Sequence, residues 1–111
     1  MAYTPEAGDL IWTDFDPRVG REQSGRRPAL VVSPMEFCRT TEFAIVCPIT
    51  SPVRPFGTSV VLPPGSPVSG EILTSHVHSI DTLARPISPA GKVPAAILED
   101  VRSKLSALIG L

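Results

Sequence analysis

The sequence predicts a mainly β domain that ends in one α-helix, and three observations support this prediction. The 111 residues include 13 prolines, which lie between short apolar runs and do not cluster in a linker. Proline breaks helix interiors and cannot donate to a β-ladder, so this distribution favours short strands joined by tight corners. Helical spacing of apolar residues is found near the carboxyl end. The length predicts a single domain, residues 1–111.

The first predicted strand covers residues 10–15 and ends at Asp16-Pro17, a pair that favours a turn. Residues 29–33 follow a polar loop and show no polar alternation. They therefore predict a strand that is buried on both faces.

Ser33, Pro34 and Glu36 have the spacing of a capping box, which predicts a short helix ending by Thr41. Residues 43–50 are the next predicted strand. Within it, Pro48 predicts an edge position, a bulge or a bend.

Three further strands are predicted at residues 59–62, 71–74 and 77–83, separated by proline-rich corners. From Pro94 to Ile109 the apolar residues recur at helical spacing, and Gly110 can end the helix. The predicted apolar face contains Ile97, Val101, Leu105 and Leu108, with Leu98 and Ile109 beside it.

The net charge of −1 argues against a protein that coats a polyanion, but six of the eight arginines lie between residues 18 and 54. Cys38 and Cys47 have neither the number nor the spacing of a zinc site or a disulfide framework, so reduced thiols are expected. No apolar run approaches 18 residues, and the amino terminus lacks the basic region of a signal peptide. A cytoplasmic protein without membrane contact is predicted.

The polar loop before the second predicted strand is the segment whose composition best suits ligand binding or catalysis. Arginine forks pair with phosphate oxygens, glycines let backbone N–H groups approach an anion, and a glutamate can move a proton. The same composition is also typical of a solvated hairpin loop. The loop residues with candidate roles are Arg21, Glu22, Gln23, Ser24, Arg26 and Arg27.

His76 and His78 are two residues apart and would face the same way on a strand, as a metal half-site or an acid/base couple would. No third ligand has useful spacing, so a polar or RNA-facing strand position is favoured and no metal site is predicted. Thr50 and Ser51 can donate hydroxyls to a phosphate or cap the following turn.

Several segments together resemble the MazF/PemK family of toxin ribonucleases. The first block runs from Gly8 to Pro34 and includes the ordered run Gly-Arg-Glu-Gln-Ser-Gly-Arg-Arg-Pro at residues 20–28. The likeness continues through residues 47–51, 60–62, 70–73 and 77–81 and the final helix. The resemblance implies an SH3-like β-barrel with a short helical turn and a C-terminal α-helix. It also implies a cytoplasmic homodimer that cleaves single-stranded messenger RNA at selected sequences, without a metal or another cofactor.

The family resemblance also assigns roles to individual residues. Arg27 matches the catalytic arginine, Thr50 the catalytic threonine and Glu22 an acidic loop position linked to activity. The resemblance further implies a MazE-like antitoxin whose acidic tail covers the RNA site, and DNA binding by the toxin–antitoxin complex. The expected RNA-binding residues are Arg21, Gln23, Ser24, Arg26, Ser51, Arg54, His76 and His78.

Two alternatives use the same barrel without RNA cleavage. One is a poison similar to the CcdB toxins, which binds a protein target such as DNA gyrase. The other is an SH3-like module that only binds RNA or a peptide. The Gly-Arg-Arg-Pro and Ile-Thr-Ser segments favour cleavage.

Overall fold

The computed structural model describes residues 3–14, 26–51, 53–55 and 57–111. The mainly β class with a C-terminal helix is confirmed. Strands and helices occur in the order β1 (Asp9–Asp14), β2 (Arg26–Val31), α1 (Met35–Thr41), β3 (Phe43–Thr50), β4 (Val60–Val61), β5 (Glu71–Ile72), β6 (His78–Asp81), β7 (Ile87–Lys92) and α2 (Ala95–Ile109), with a 3₁₀ turn at Thr74–His76 between β5 and β6.

The seven strands form one antiparallel sheet in which β3 is central. The path of neighbours is β4-β5-β3-β2-β1-β7, and β6 also pairs with β3. Its end strands, β4 and β7, are not hydrogen-bonded to each other within the described residues, so the sheet is open there.

Pro48 marks the point at which β3 changes one of its neighbours. Residues 43–46 of β3 pair with β6, whereas Ile49 and Thr50 pair with β5. The Pro48 carbonyl accepts a hydrogen bond from the Leu73 N–H at 2.9 Å. The expected irregularity at Pro48 is therefore a change of partner in an interior strand, not a sheet edge.

Apolar side chains form two buried clusters, because alternate residues of β1, β2 and β3 point to opposite faces of the sheet. One cluster joins Leu10, Leu30 and Cys47 to Val101 of α2. The other contains Ile11, Val31 and other small or branched residues of the central strands. β2 and β3 contribute residues to both clusters and are therefore packed on both faces.

The α2 helix agrees closely with the sequence prediction, and its end at Gly110 is confirmed. Gly110 adopts φ +84° and its N–H donates to carbonyls of the last turn. Val101 is fully buried, whereas Leu108 and Ile109 remain exposed. Of the predicted apolar face, Ile97 and Leu105 are half-buried against the core, so the face packs most closely at Val101 and is open to solvent at its carboxyl end.

The predicted capping box is wrong. Pro34, not Ser33, is the N-cap of α1, and no side chain caps the helix. The Ser33 hydroxyl instead accepts a hydrogen bond from the Ile45 N–H at 3.0 Å, and Glu36 pairs with Arg39 on the surface. The Ser33 hydroxyl therefore bonds to β3 and not to the first turn of α1.

The sequence prediction missed β7, which pairs with β1 around an irregularity between Leu10 and Ile11. Pro89 and Gly91 within the strand are poor strand formers, which explains the omission. Gly91 has φ +141°, and a Cβ there would lie 2.6 Å from the Pro67 ring. A close packing contact therefore explains the glycine.

Cys38 and Cys47 are both buried free thiols, as expected from their number and spacing. Burial raises the pKa of the Cys47 thiol to about 12. Within the described ranges, no helix has the length and apolar character needed to cross a membrane.

Candidate functional site

The candidate site forms where the ladder between β2 and β3 stops. The last paired residues are Ala29 and Pro48. Both strands continue beyond this pair, but Pro28 has no N–H with which to extend the ladder. Arg27 and Thr50 each lie two residues beyond the last pair, on the face of the sheet that Ala29 and Pro48 share.

A surface cavity of about 330 Å³ lies between these strand ends. Arg27 is exposed at its rim and Thr50 is half-buried. The residues around the cavity thus include two arginines and three hydroxyl side chains, a combination suited to a phosphate. The described residues that line it are Arg26, Arg27, Pro28, Ile49, Thr50, Ser51 and Ser69.

Gly70 allows the backbone beside Thr50 to pack closely. It adopts φ +139°, and a Cβ at this position would lie 2.6 Å from the Thr50 carbonyl oxygen and 2.9 Å from Ile49 Cγ2. Only glycine satisfies both the backbone angle and the contact without a shift. The conformation of Thr50 therefore depends on a residue outside its own strand.

Arg26 lines the cavity, but its guanidinium is directed across β1 toward β7. Its Nη2 donates to Ser88 Oγ at 2.6 Å and to the Trp12 carbonyl at 3.4 Å. This arrangement fixes the guanidinium at the exposed end of the sheet, where an anion can approach it.

Four expected site residues, Arg21, Glu22, Gln23 and Ser24, lie outside the described residues. Arg26 and Arg27 are the part of the polar loop region that the structure describes. Of the other expected residues, Ser51 lines the cavity and Arg54 follows it in the connection to β4.

The expectation that His76 and His78 share one strand face is wrong. His76 ends the 3₁₀ turn and His78 begins β6, so the two side chains do not belong to one continuous strand. Both residues are exposed and neither lines the cavity. The Nδ1 atom of His78 lies 2.9 Å from the His76 carbonyl oxygen. Among the residues with described positions, no three His, Cys, Asp or Glu side chains cluster around a possible metal position.

The structure adds three polar side chains near the site that the sequence did not single out individually. Ser69 lines the cavity, Ser88 holds Arg26, and Arg85 Nη1 donates to the Asp14 carbonyl at 2.7 Å. Ser69 precedes the close contact at Gly70. No sequence pattern marks Ser88 or Arg85: the pairing of β1 with β7 places Ser88 opposite Trp12, and Arg85 lies just before β7.

Comparison with known proteins is consistent with this fold and site. Residues 6–109 match the family described as PemK-like, MazF-like toxin of type II toxin-antitoxin system. The endoribonuclease toxin MazF of Escherichia coli K12 is 39% identical over 108 residues, which cover 97% of this chain and 96% of the relative. The chain therefore belongs to the PemK/MazF toxin family, and the resemblance found in the sequence is confirmed.

Solved structures agree over the full fold. A crystal structure of MazF from Deinococcus radiodurans superposes with a TM-score of 0.89 and 41% identity, covering 99% of this chain and 100% of that one. A crystal structure of MazE-MazF from the same organism gives a TM-score of 0.90 at 39% identity, covering 98% and 99% of the two chains.

Proposed function

We propose that this protein is a sequence-selective endoribonuclease that cleaves single-stranded RNA, chiefly messenger RNA, without a metal ion. The observation that carries the proposal is that Arg27 and Thr50 line one cavity at the open end of β2 and β3. The MazF and PemK relatives named as endoribonucleases, at 39% and 33% identity, support the same reaction class.

In the proposed reaction the ribose 2′-OH attacks the adjacent phosphorus. A new bond forms between the 2′-oxygen and phosphorus while the bond from phosphorus to the 5′-oxygen breaks. The products are a 2′,3′-cyclic phosphate and a 5′-hydroxyl. The nucleophile loses a proton and the leaving oxygen gains one, so the reaction consumes no cofactor.

Arg27 and Thr50 are suited to stabilise the transition state of this reaction. The Arg27 guanidinium can donate hydrogen bonds to the phosphorane oxygens. The Thr50 hydroxyl can donate to the same phosphate. Glu22, which lies outside the described residues, is proposed to position Arg27 or the nucleophile.

Arg26, Ser51 and Arg54 are proposed to bind RNA on either side of the scissile phosphate. Arg21, Gln23, Ser24, His76 and His78 are proposed as further RNA contacts. A homodimer would extend this set into a longer cationic track for a single strand.

The proposed partner is a MazE-like antitoxin. The Deinococcus radiodurans complex shows MazE with a MazF that resembles this chain. An acidic antitoxin segment would compete with RNA for the same arginines, so antitoxin and substrate should exclude each other. Cleavage of messenger RNA implies action in the cytoplasm, and DNA binding is proposed only for the complex with the antitoxin.

Primer extension on a long defined RNA, with and without EDTA, tests cleavage, metal dependence and sequence preference together. We expect discrete stops at a short recurring sequence, unchanged by EDTA and about 100-fold or more weaker with the Arg27→Ala variant. Intact RNA throughout would contradict the proposal. Binding without cleavage would support a binding module, and inhibition of DNA gyrase would support a CcdB-like poison.

A further inference from the structure

Glu71 is a buried carboxylate beside the proposed site. Its relative exposure is 1%, and its backbone pairs with Thr50 in the ladder between β3 and β5. Burial of a charged side chain is unfavourable unless hydrogen bonds compensate it. The groups that contact this carboxylate therefore indicate what it does.

The Glu71 carboxylate binds the connection between β3 and β4 at two points. This connection, termed the β3–β4 loop, comprises residues 51–59, of which 51, 53–55 and 57–59 are described. Oε1 accepts a hydrogen bond from the Arg54 N–H at 2.7 Å, and Oε2 accepts one from the Ser59 hydroxyl. One side chain thus links the middle of the loop to its last residue.

Thr74 provides a second internal anchor. Its side chain is fully buried, and its hydroxyl donates to the Thr58 carbonyl. No strand or helix is formed by the described residues of the loop, so its backbone groups depend on such side-chain partners.

Arg54 is the residue of this loop that is proposed to bind RNA. Its backbone N–H is bound to Glu71, whereas the residue as a whole is exposed. Because Glu71 also pairs with Thr50, the same residue contacts the strand end that carries the site and the loop that carries the arginine.

We propose that Glu71 is a positioning residue that holds the β3–β4 loop so that the Arg54 guanidinium binds the RNA strand next to Thr50. This inference rests on the proposed RNA cleavage and adds a determinant of substrate binding to it. Glu71 does not contact the reacting atoms. Its loss therefore affects RNA binding more than the chemical step.

The test compares Glu71→Leu, Glu71→Gln and Arg54→Ala with the parent, on an RNA that contains the preferred sequence. Leucine removes both acceptors, whereas glutamine keeps one acceptor for the Arg54 N–H, and the Ser59 hydroxyl can turn to accept from the amide. Arg54→Ala removes the guanidinium and leaves the backbone bond to Glu71 intact.

We expect Glu71→Leu to raise KM by about 10-fold with kcat within about 3-fold, the pattern of a lost binding interaction. Glu71→Gln should keep KM within about 3-fold of the parent, since one net hydrogen bond contributes little. Arg54→Ala should raise KM by about 10-fold in the parent but by less than about 2-fold in Glu71→Leu, because both changes remove the same contact.

Hydrogen exchange at the Arg54 amide gives a readout that does not depend on RNA cleavage. The amide should exchange slowly in the parent and in Glu71→Gln, and at least about 10-fold faster in Glu71→Leu. If Glu71→Leu does not fold, Ser59→Ala takes its place, because it removes the bond to Oε2 and leaves the Arg54 N–H bond to Oε1. The Arg54 amide should then exchange faster than in the parent and KM should rise, each by less than expected for Glu71→Leu, and no change in either would overturn the positioning role.

The control is Tyr3→Phe, which removes a hydrogen bond to Asp9, a buried carboxylate that does not line the cavity. It should lower Tm and leave KM unchanged. An unchanged KM in Glu71→Leu, or independent effects of the Glu71 and Arg54 changes, would overturn the positioning role even if the parent cleaves RNA. Absence of cleavage by the parent would instead overturn the proposed function, while the exchange data would still report whether Glu71 holds the loop.

Discussion

Arg27 and Thr50 lie on facing strands, each two residues beyond the last pair of the β2–β3 ladder. They therefore flank a cavity and are not joined by continued strand pairing. The ladder stops next to Pro28 and at Pro48, so the prolines that indicate a β fold also lie where the pairing of these two strands ends.

Arg27→Ala and Thr50→Ala should each reduce RNA cleavage by about 100-fold or more, because each removes a donor to the charge that develops on the phosphate. Both positions lie at strand ends outside the buried clusters, so Tm should change little. Cleavage of a fluorogenic RNA and thermal melting measure the two effects.

The matched control is Arg39→Ala. Arg39 is an exposed arginine of α1 whose guanidinium contacts Glu36 and Met35, and it does not line the cavity. Equal losses for Arg27→Ala and Arg39→Ala would indicate a general charge effect and would contradict a specific site.

Gly70→Ala should lower both stability and cleavage, since its Cβ would lie 2.6 Å from the Thr50 carbonyl oxygen. The expected loss of unfolding free energy is about 1–3 kcal/mol, typical of overpacking. Denaturant melts and cleavage rates would measure it.

Gly65→Ala separates backbone strain from this contact. Gly65 also has a positive φ, +87°, but a Cβ there meets nothing within 4 Å. This variant should lose about 1 kcal/mol and retain cleavage. If Gly70→Ala behaves in the same way, the close packing does not set the conformation of Thr50.

Arg26→Ala should weaken the salt dependence of RNA binding. Each arginine that neutralises a phosphate contributes roughly −0.7 to the slope of log K against log salt for a single strand. Binding measured in the cleavage-deficient Thr50→Ala background should therefore show a slope smaller by about 0.7. Lys104→Ala, which alters a charge on α2 paired with Asp100, should leave the slope unchanged.

Asp9 should make folding sensitive to acid. Burial raises the pKa of Asp9, but hydrogen bonds from Lys92 and Tyr3 outweigh burial and hold this pKa below its ordinary value. The contribution to stability is therefore present above the unfolded carboxyl pKa of about 4 and is lost as pH falls through the lower folded value. Tm measured from pH 7 to pH 3 should fall more in the parent than in Asp9→Asn.

The same ion pair has an alkaline limit. The hydrogen bond from Lys92 to Asp9 raises the pKa of Lys92, so its contribution is present below the ordinary ammonium pKa of about 10.4 and is lost as pH rises through the folded value. For the acid side, an equally steep fall of Tm between pH 7 and pH 3 in the parent and in Asp9→Asn would show that other groups control acid unfolding.

The sequence by itself determined the parts of the fold whose signals are local. The bounds of β3 match the prediction, 43–50, and α2 ends at Gly110 as predicted, because apolar periodicity and a left-handed C-cap act over a few residues. The family was also recognised from the sequence, through the run of residues around Arg27, and the family match over residues 6–109 confirms that recognition.

Tertiary structure alone decided which side chains meet. Strand pairing brought Arg27 to the same cavity as Thr50, placed Ser33 against Ile45, and formed β7 despite Pro89. It also buried Glu71 beneath the β3–β4 loop. These contacts join residues far apart in the chain, and their free energy depends on burial and on partners that no local pattern specifies.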